Sequence, residues 1–130
     1  MKQLTRSVAL QALNVYKEAW EKQDPNRILD VFTSDAVYHE RVFEKPYKGH
    51  AEIKSYWIAK VVNGQSDITC DLLNVYLDGD TAIAEWEARF FDREKNLRTR
   101  LREVAILEFR GTKIAALREY WASEHMDTRS

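Results

Sequence analysis

The chain has 130 residues and a formal net charge of −1, with 20 Lys and Arg against 21 Asp and Glu. That length suits one domain with a real core, and the charge balance excludes any global pull toward nucleic acid or an anionic membrane. The single cysteine, Cys70, excludes an intramolecular disulfide, and no run of 18 apolar residues is present to span a bilayer.

The lone cysteine suits a reducing compartment, and the N-terminal stretch MKQLTRSVALQAL has neither the apolar centre nor the cleavage site of a signal peptide. A soluble, cytoplasmic, single-domain protein over residues 1–130 is the expectation. Residues from about Thr5 to Gln23 predict an amphipathic helix, because Ala9, Leu13, Tyr16 and Trp20 recur at helical spacing. Asp24-Pro25 pairs an N-cap acceptor with a proline suited to a first helical position. Ile28, Leu29 and Phe32 then predict a short second helix, closed by Thr33, Ser34 and Asp35.

A strand is predicted from Ala36 to Phe43, with Tyr38, Glu40 and Val42 on one face. Lys45-Pro46 interrupts it, since proline cannot continue a central strand. A third helix follows from about His50 to Val62, burying Ile53, Tyr56 and Trp57. Beyond Asn63-Gly64 the chain turns β-rich. Ile68, Cys70 and Leu72 alternate, then Leu73, Val75 and Leu77 take the opposite parity, which predicts a bulge near Leu72–Leu73. Asp78-Gly79 is a hairpin signal. Strands are then predicted over Thr81–Phe91, Leu97–Phe109 and Lys113 to about Ala122, with residues from about 123 to 130 a frayed tail. A turn centred between Glu94 and Lys95 sets Trp86 opposite Glu103 and Glu87 opposite Arg102. Three helices followed by an antiparallel meander predict an α+β domain with helices on one sheet face.

Five features together resemble the cone-shaped superfamily of nuclear transport factor 2, and within it the SnoaL-like and ketosteroid-isomerase-related proteins. They are Tyr16, the Asp24 helix start, SDAVYHE at Ser34–Glu40, YKGHAEIKSYW at Tyr47–Trp57 and REYW at Arg118–Trp121. The resemblance spans about Leu13 to Ala122. It implies three N-terminal helices in the hollow of a strongly curved, mostly antiparallel sheet, and a homodimer through the convex sheet face. Val104 and Ile106 would lie on that face. In ketosteroid isomerases a first-helix tyrosine donates to the developing enolate oxygen and a first-strand carboxylate shuttles the proton. Tyr16 and Glu40 fall at those positions. The isomerases also hold a protonated aspartate on the penultimate strand, and that place here holds Ala105, a departure from their pattern.

Glu103 is an acid among Leu97, Leu101, Ala105, Leu107 and Phe109, and Glu119 shares its parity with Leu117 and Trp121. An acid on an apolar face is either partnered or raised in pKa. Glu40, Tyr16 and Glu103 are therefore the candidate catalytic groups, with Glu40 as base and Tyr16 as hydrogen-bond donor. Tyr38, Trp57, Trp86, Glu119 and Trp121 are the candidate substrate-binding groups. The plainer alternatives are a core tyrosine bonded to a carbonyl or water, and acids paired with rim arginines. Arg98, Arg100 and Arg102 face the opposite way, where Glu85 and Glu87 suffice as partners. His39, His50 and His125 lack ligand spacing, so no metal is expected, and no cofactor motif occurs. The expected function is SnoaL-like binding of a small, mostly apolar or amphipathic molecule, with cofactor-independent acid/base chemistry of the isomerase, cyclase, dehydratase or hydrolase type. A non-catalytic dimeric module that binds a ligand or a protein is the alternative, distinguished by a cavity plugged with Trp86 and Trp121.

Overall fold

The helical period after Thr5 persists for four turns. In the computed structural model, which describes residues 3–126, helix α1 spans Arg6–Glu21. The Thr5 hydroxyl accepts the Val8 amide at 3.2 Å, satisfying one of the free donors of the first turn. Ala9, Ala12, Leu13, Tyr16, Ala19 and Trp20 form the buried stripe. The helix ends in a Schellman arrangement: the Asp24 amide reaches the Ala19 carbonyl and the Gln23 amide reaches that of Trp20. Gln23 takes the left-handed position at φ 55°, where glycine is usual.

The second helix is shorter than its sequence suggests. Asp24 Oδ1 accepts the Asn26 and Arg27 amides at 3.0 Å, but only a 3-10 turn over Arg27–Val31 follows. Phe32, fully buried, has already entered the sheet as the first residue of β1, Phe32–His39. Thr33, Ser34 and Asp35 thus lie within a strand, and the Arg110 guanidinium holds Asp35 at 2.5 Å. At its other end β1 stops three residues past Ala36, because pairing with the last strand runs out at His39–Arg118. Glu40 therefore stands in the bend after the strand, and Phe43 is fully exposed in the following loop.

Strand β2, Tyr47–Lys48, leads into helix α2, Gly49–Trp57, which continues as a π-helical turn over Ile58–Val62. Strands β3 (Gln65–Asp78), β4 (Thr81–Asp92), β5 (Leu97–Arg110) and β6 (Lys113–His125) complete an open sheet in the order β2-β1-β6-β5-β4-β3. Only the β1–β6 pairing is parallel. The bulge expected near Leu72–Leu73 falls between Leu72 and Asn74, and the Trp86–Glu103 and Glu87–Arg102 pairs fall in the expected register. Ser123 to His125 belong to β6, paired with Thr99 to Leu101, so the predicted fraying begins too early; residues 127–130 lie outside the described part.

Two α-helices rather than three pack on this sheet, and the sheet is not the strongly curled cone the resemblance implied. β4 and β5 pair from Thr81–Glu108 to Asp92–Leu97 without an irregularity, so no bulge bends this pair sharply. The core lies between the helices and the inner sheet face, where Ala82, Ala84, Trp86, Ala88, Ala105, Leu107 and Leu117 are buried. Glu21 ties the helix to the edge strand by accepting the Cys70 amide at 2.8 Å.

Candidate active site

Three elements bring oxygen atoms to one point. Tyr16 lies on the inner stripe of α1, Tyr38 on the inward parity of β1, and Glu119 on the inward parity of β6. Parallel pairing of Tyr38 with Leu117 sets the phenol beside the acid two residues on. The Tyr38 hydroxyl donates to Glu119 Oε1 at 2.8 Å and the Tyr16 hydroxyl donates to the same oxygen at 3.3 Å. The two hydroxyls are 2.9 Å apart. Glu103 joins from β5. Its cross-strand partner is Trp121 and that of Glu119 is Ala105, so the two acids are diagonal neighbours on the inner face. Their carboxyl groups are close enough for a protonated Glu103 to donate to Glu119.

Burial dominates the electrostatics. Glu103 is pushed well above the usual carboxylate range, first by desolvation and then by the Glu119 charge. Glu119 is raised to about 7 by burial, while hydrogen bonds from the two tyrosines and Glu103 pull it back down. Both phenols are pushed above their ordinary value by burial and by Glu119. At neutral pH, then, Glu103 is the neutral acid and donates to Glu119, which is near its midpoint. Such a pair titrates as a unit.

This network forms part of the wall of a cavity of about 250 Å3, lined also by Glu40, Tyr56, Trp57, Gln65, Thr99 and Trp121. Glu40 reaches it from the bend after β1, with its side chain 11% exposed. The Trp121 Nε1–H donates to the Glu40 carbonyl at 3.3 Å, and the Arg41 guanidinium sits 5.1 Å above the Trp121 ring and 3.5 Å from the Glu40 carboxylate. Tyr16 and Glu40 thus line one cavity, but the direct partners of Tyr16 are Tyr38 and Glu119.

Trp86 does not line the cavity. It is 1% exposed and its ring lies 5.9 Å from that of Tyr16, so the phenol covers it. Trp121, expected with Trp86 to line the cavity, stands half-buried on its wall. Tyr56, Gln65 and Thr99 were not singled out from sequence. Tyr56 gave a signal, lying three residues after buried Ile53, whereas Gln65 and Thr99 gave none. Gln65 is held by the Trp20 indole N–H at 3.0 Å. The Trp57 indole N–H is buried with no acceptor among the described residues. No group of three or more metal-ligating side chains suited to an ion occurs among the described residues, and no helix is long and apolar enough to cross a membrane.

The profile of a family described as SnoaL-like domain matches residues 13–117. No curated protein matches. Among solved structures, an NTF2-like protein from Anabaena variabilis is similar at 20% identity and TM-score 0.78, covering 91% of this chain and 89% of that one. An LEH-like epoxide hydrolase from M. tuberculosis is similar at 16% identity and TM-score 0.73, covering 89% and 84%. A protein of ketosteroid isomerase-like fold from Catenulispora acidiphila, solved in complex with trimethylamine, is similar at 16% identity and TM-score 0.76, covering 85% and 84%. At these identities the likeness is one of fold.

Proposed function

Because the chain belongs to the SnoaL-like domain family, we propose that it is a cofactor-independent enzyme acting by general acid/base catalysis on a small molecule held in this cavity. The observation that carries the reading is the Glu103–Glu119 pair, buried, close enough for one acid to donate to the other, and bonded to two phenols. A carboxyl near its midpoint at neutral pH beside a protonated one supplies both a proton acceptor and a donor. Glu119 takes the proton from the reacting atom or from water, and Glu103 returns one to the oxygen that develops charge. Tyr16 and Tyr38 hold Glu119 in place by donating to its carboxylate. Glu40, expected from sequence as the base, stands beside Arg41 and orients the ligand from there. Proton relocation of this kind underlies isomerisation, cyclisation, dehydration and epoxide opening alike.

The epoxide hydrolase among the similar folds supports chemistry in this hollow, and the Catenulispora complex supports a small ligand there. An unplugged cavity favours a ligand site over a purely structural module. The proposal includes a homodimer through the outer sheet face, where Val104, Tyr120 and Tyr76 are 38%, 47% and 58% exposed.

The test begins with a thermal-shift screen of small epoxides, enones and cyclic ketones, followed by turnover assays on the hits. Glu119→Gln should then lower kcat by about 10²–10⁴-fold, the usual contribution of a general base. Wild-type turnover in a folded Glu119→Gln protein would end this assignment.

A further inference from the structure

The distribution of charge and aromatic surface in the cavity goes further than its hydrogen bonds. Five acidic residues line it, and three of them are sheltered from solvent: Glu103 and Glu119 are buried, and Glu40 is nearly so. The basic side chains along the wall, Arg41, Lys60 and Lys95, are all exposed. Arg41 is engaged with Glu40, Glu44 and the Trp121 ring, and Asp92 and Glu94 stand near Lys95 in the chain and on the wall. No cation among the described residues reaches the Glu103–Glu119 pair. Much of the remaining wall is aromatic, with Tyr16, Trp20, Tyr38, Tyr56, Trp57 and Trp121 beside small, aliphatic and polar residues such as Val61, Leu101, Gln65 and Thr99. Ring faces attract cations, most strongly where water is excluded. An anionic ligand would meet three acids, and a neutral one would leave the pair without a counter-charge.

We propose that the cavity takes a small organic cation, an alkylated ammonium group seated between the Glu103–Glu119 pair and the aromatic walls. This rests on the cavity being a ligand site, as proposed above. Its volume of about 250 Å3 lies below the range of roughly 300–1,000 Å3 typical of drug-sized ligands, which suits a small occupant.

The charge argument makes binding depend on pH in one direction. The groups facing Glu119 are Tyr16 from α1, Tyr38 from β1, Glu40 from the bend after it, Tyr56 from α2 and Glu103 from β5. Both tyrosines bonded to Glu119 and Tyr56 are pushed upward from the ordinary phenol value, so they stay neutral through this range. A cation stabilises the ionised pair and its binding releases protons. Affinity therefore rises with pH through about 7, where Glu119 titrates.

The test uses the whole chain, with choline as the cation and 3,3-dimethylbutan-1-ol as its neutral isostere, by calorimetry and NMR at pH 5.5 and pH 8. Choline is expected to bind at least about tenfold tighter than the isostere at pH 8, which is about 1.4 kcal/mol. That gap should narrow at pH 5.5, with protons released on binding. Glu119→Gln should erase the gap while the isostere still binds; should that variant misfold, Glu103→Gln serves instead, and the wild-type pH series needs no variant. Equal affinities at pH 8, or a gap unchanged with pH, would overturn the cation while leaving a ligand site. If neither probe shifts the cavity resonances, the ligand-site reading falls as well.

Discussion

Glu119 accepts from two phenols and one carboxyl, and the geometry ranks these partners. The Tyr38 bond at 2.8 Å is shorter than that of Tyr16 at 3.3 Å, and it is the stronger of the two in holding Glu119 down. Tyr38→Phe should therefore raise the Glu119 midpoint further above 7 than Tyr16→Phe does, as read by carboxyl-carbon NMR titration; the reverse order would reject this ranking. The pair also fixes how stability depends on pH. Both acids are raised above their ordinary 4.5 in the folded chain, so the folded state keeps protons that the unfolded chain releases. Their contribution is fully present below about pH 4.5 and is lost as pH rises, through about 7 for Glu119 and through the raised midpoint of Glu103. Within that window each group lowers stability by at most about 1.4 kcal/mol per pH unit. Denaturation midpoints at pH 5 and pH 8 should differ in this direction, and Glu119→Gln should flatten the difference. A wild-type midpoint that rises from pH 5 to pH 8 would show the pair to be ionised throughout.

At the scale of elements, the join between α1 and the π-helical turn depends on one side chain. The Gln23 amide nitrogen donates to the carbonyls of Val61 at 2.9 Å and Gln65 at 2.6 Å. Val61 and Gln65 also line the cavity, so Gln23 fixes a wall that it does not itself form. Gln23→Ala leaves these carbonyls without their donor and should cost about 1–3 kcal/mol in denaturant unfolding. Gln23→Gly would relax the left-handed φ but lose the same bonds, so it should not recover the full loss. If glycine proved more stable than the wild type, backbone strain would outweigh the bonds. The Asp24-Pro25 signal is a related case. The cap formed as its chemistry requires, yet the element after it stayed a 3-10 turn, because only five residues separate the cap's end from the buried Phe32. Capping is a local effect, but helix length here depends on where the chain must join the sheet.

For the whole molecule, the outer sheet face sets the assembly prediction. Val104 and Tyr120 are cross-strand partners, and Ile106 pairs with Ile83 beside them. At micromolar concentration, light scattering should show about twice the 15.3 kDa chain mass, and Val104→Lys should return the monomer. A wild-type particle of 15.3 kDa at high micromolar concentration would remove the dimer. Beside this patch, Glu87 lies under Arg89 and Arg102, both donating to its carboxylate. On β5, Arg102 pairs with Glu87 and Arg100 with Glu124, while Arg98 donates to the Asp67 carbonyl.

What the residues determined alone was periodicity and pairing. Alternation placed Glu103 and Glu119 on the inner face, the parity change near Leu72 marked the bulge, and the turn before Asn96 set the β4–β5 register, because each depends on neighbours within a hairpin's reach. The inward acids were legible for the same reason. Only the tertiary structure decided that Glu119 is the acid that meets the phenols. That meeting joins α1, β1 and β6 across sequence separations of 81 and 103 residues, and the parallel β1–β6 pairing behind it has no local signal. The same distance accounts for Glu40 and Trp86. The strand carrying Glu40 ends where its distant partner leaves it, and Trp86 leaves the cavity because Tyr16, from a helix far earlier in the chain, lies over it.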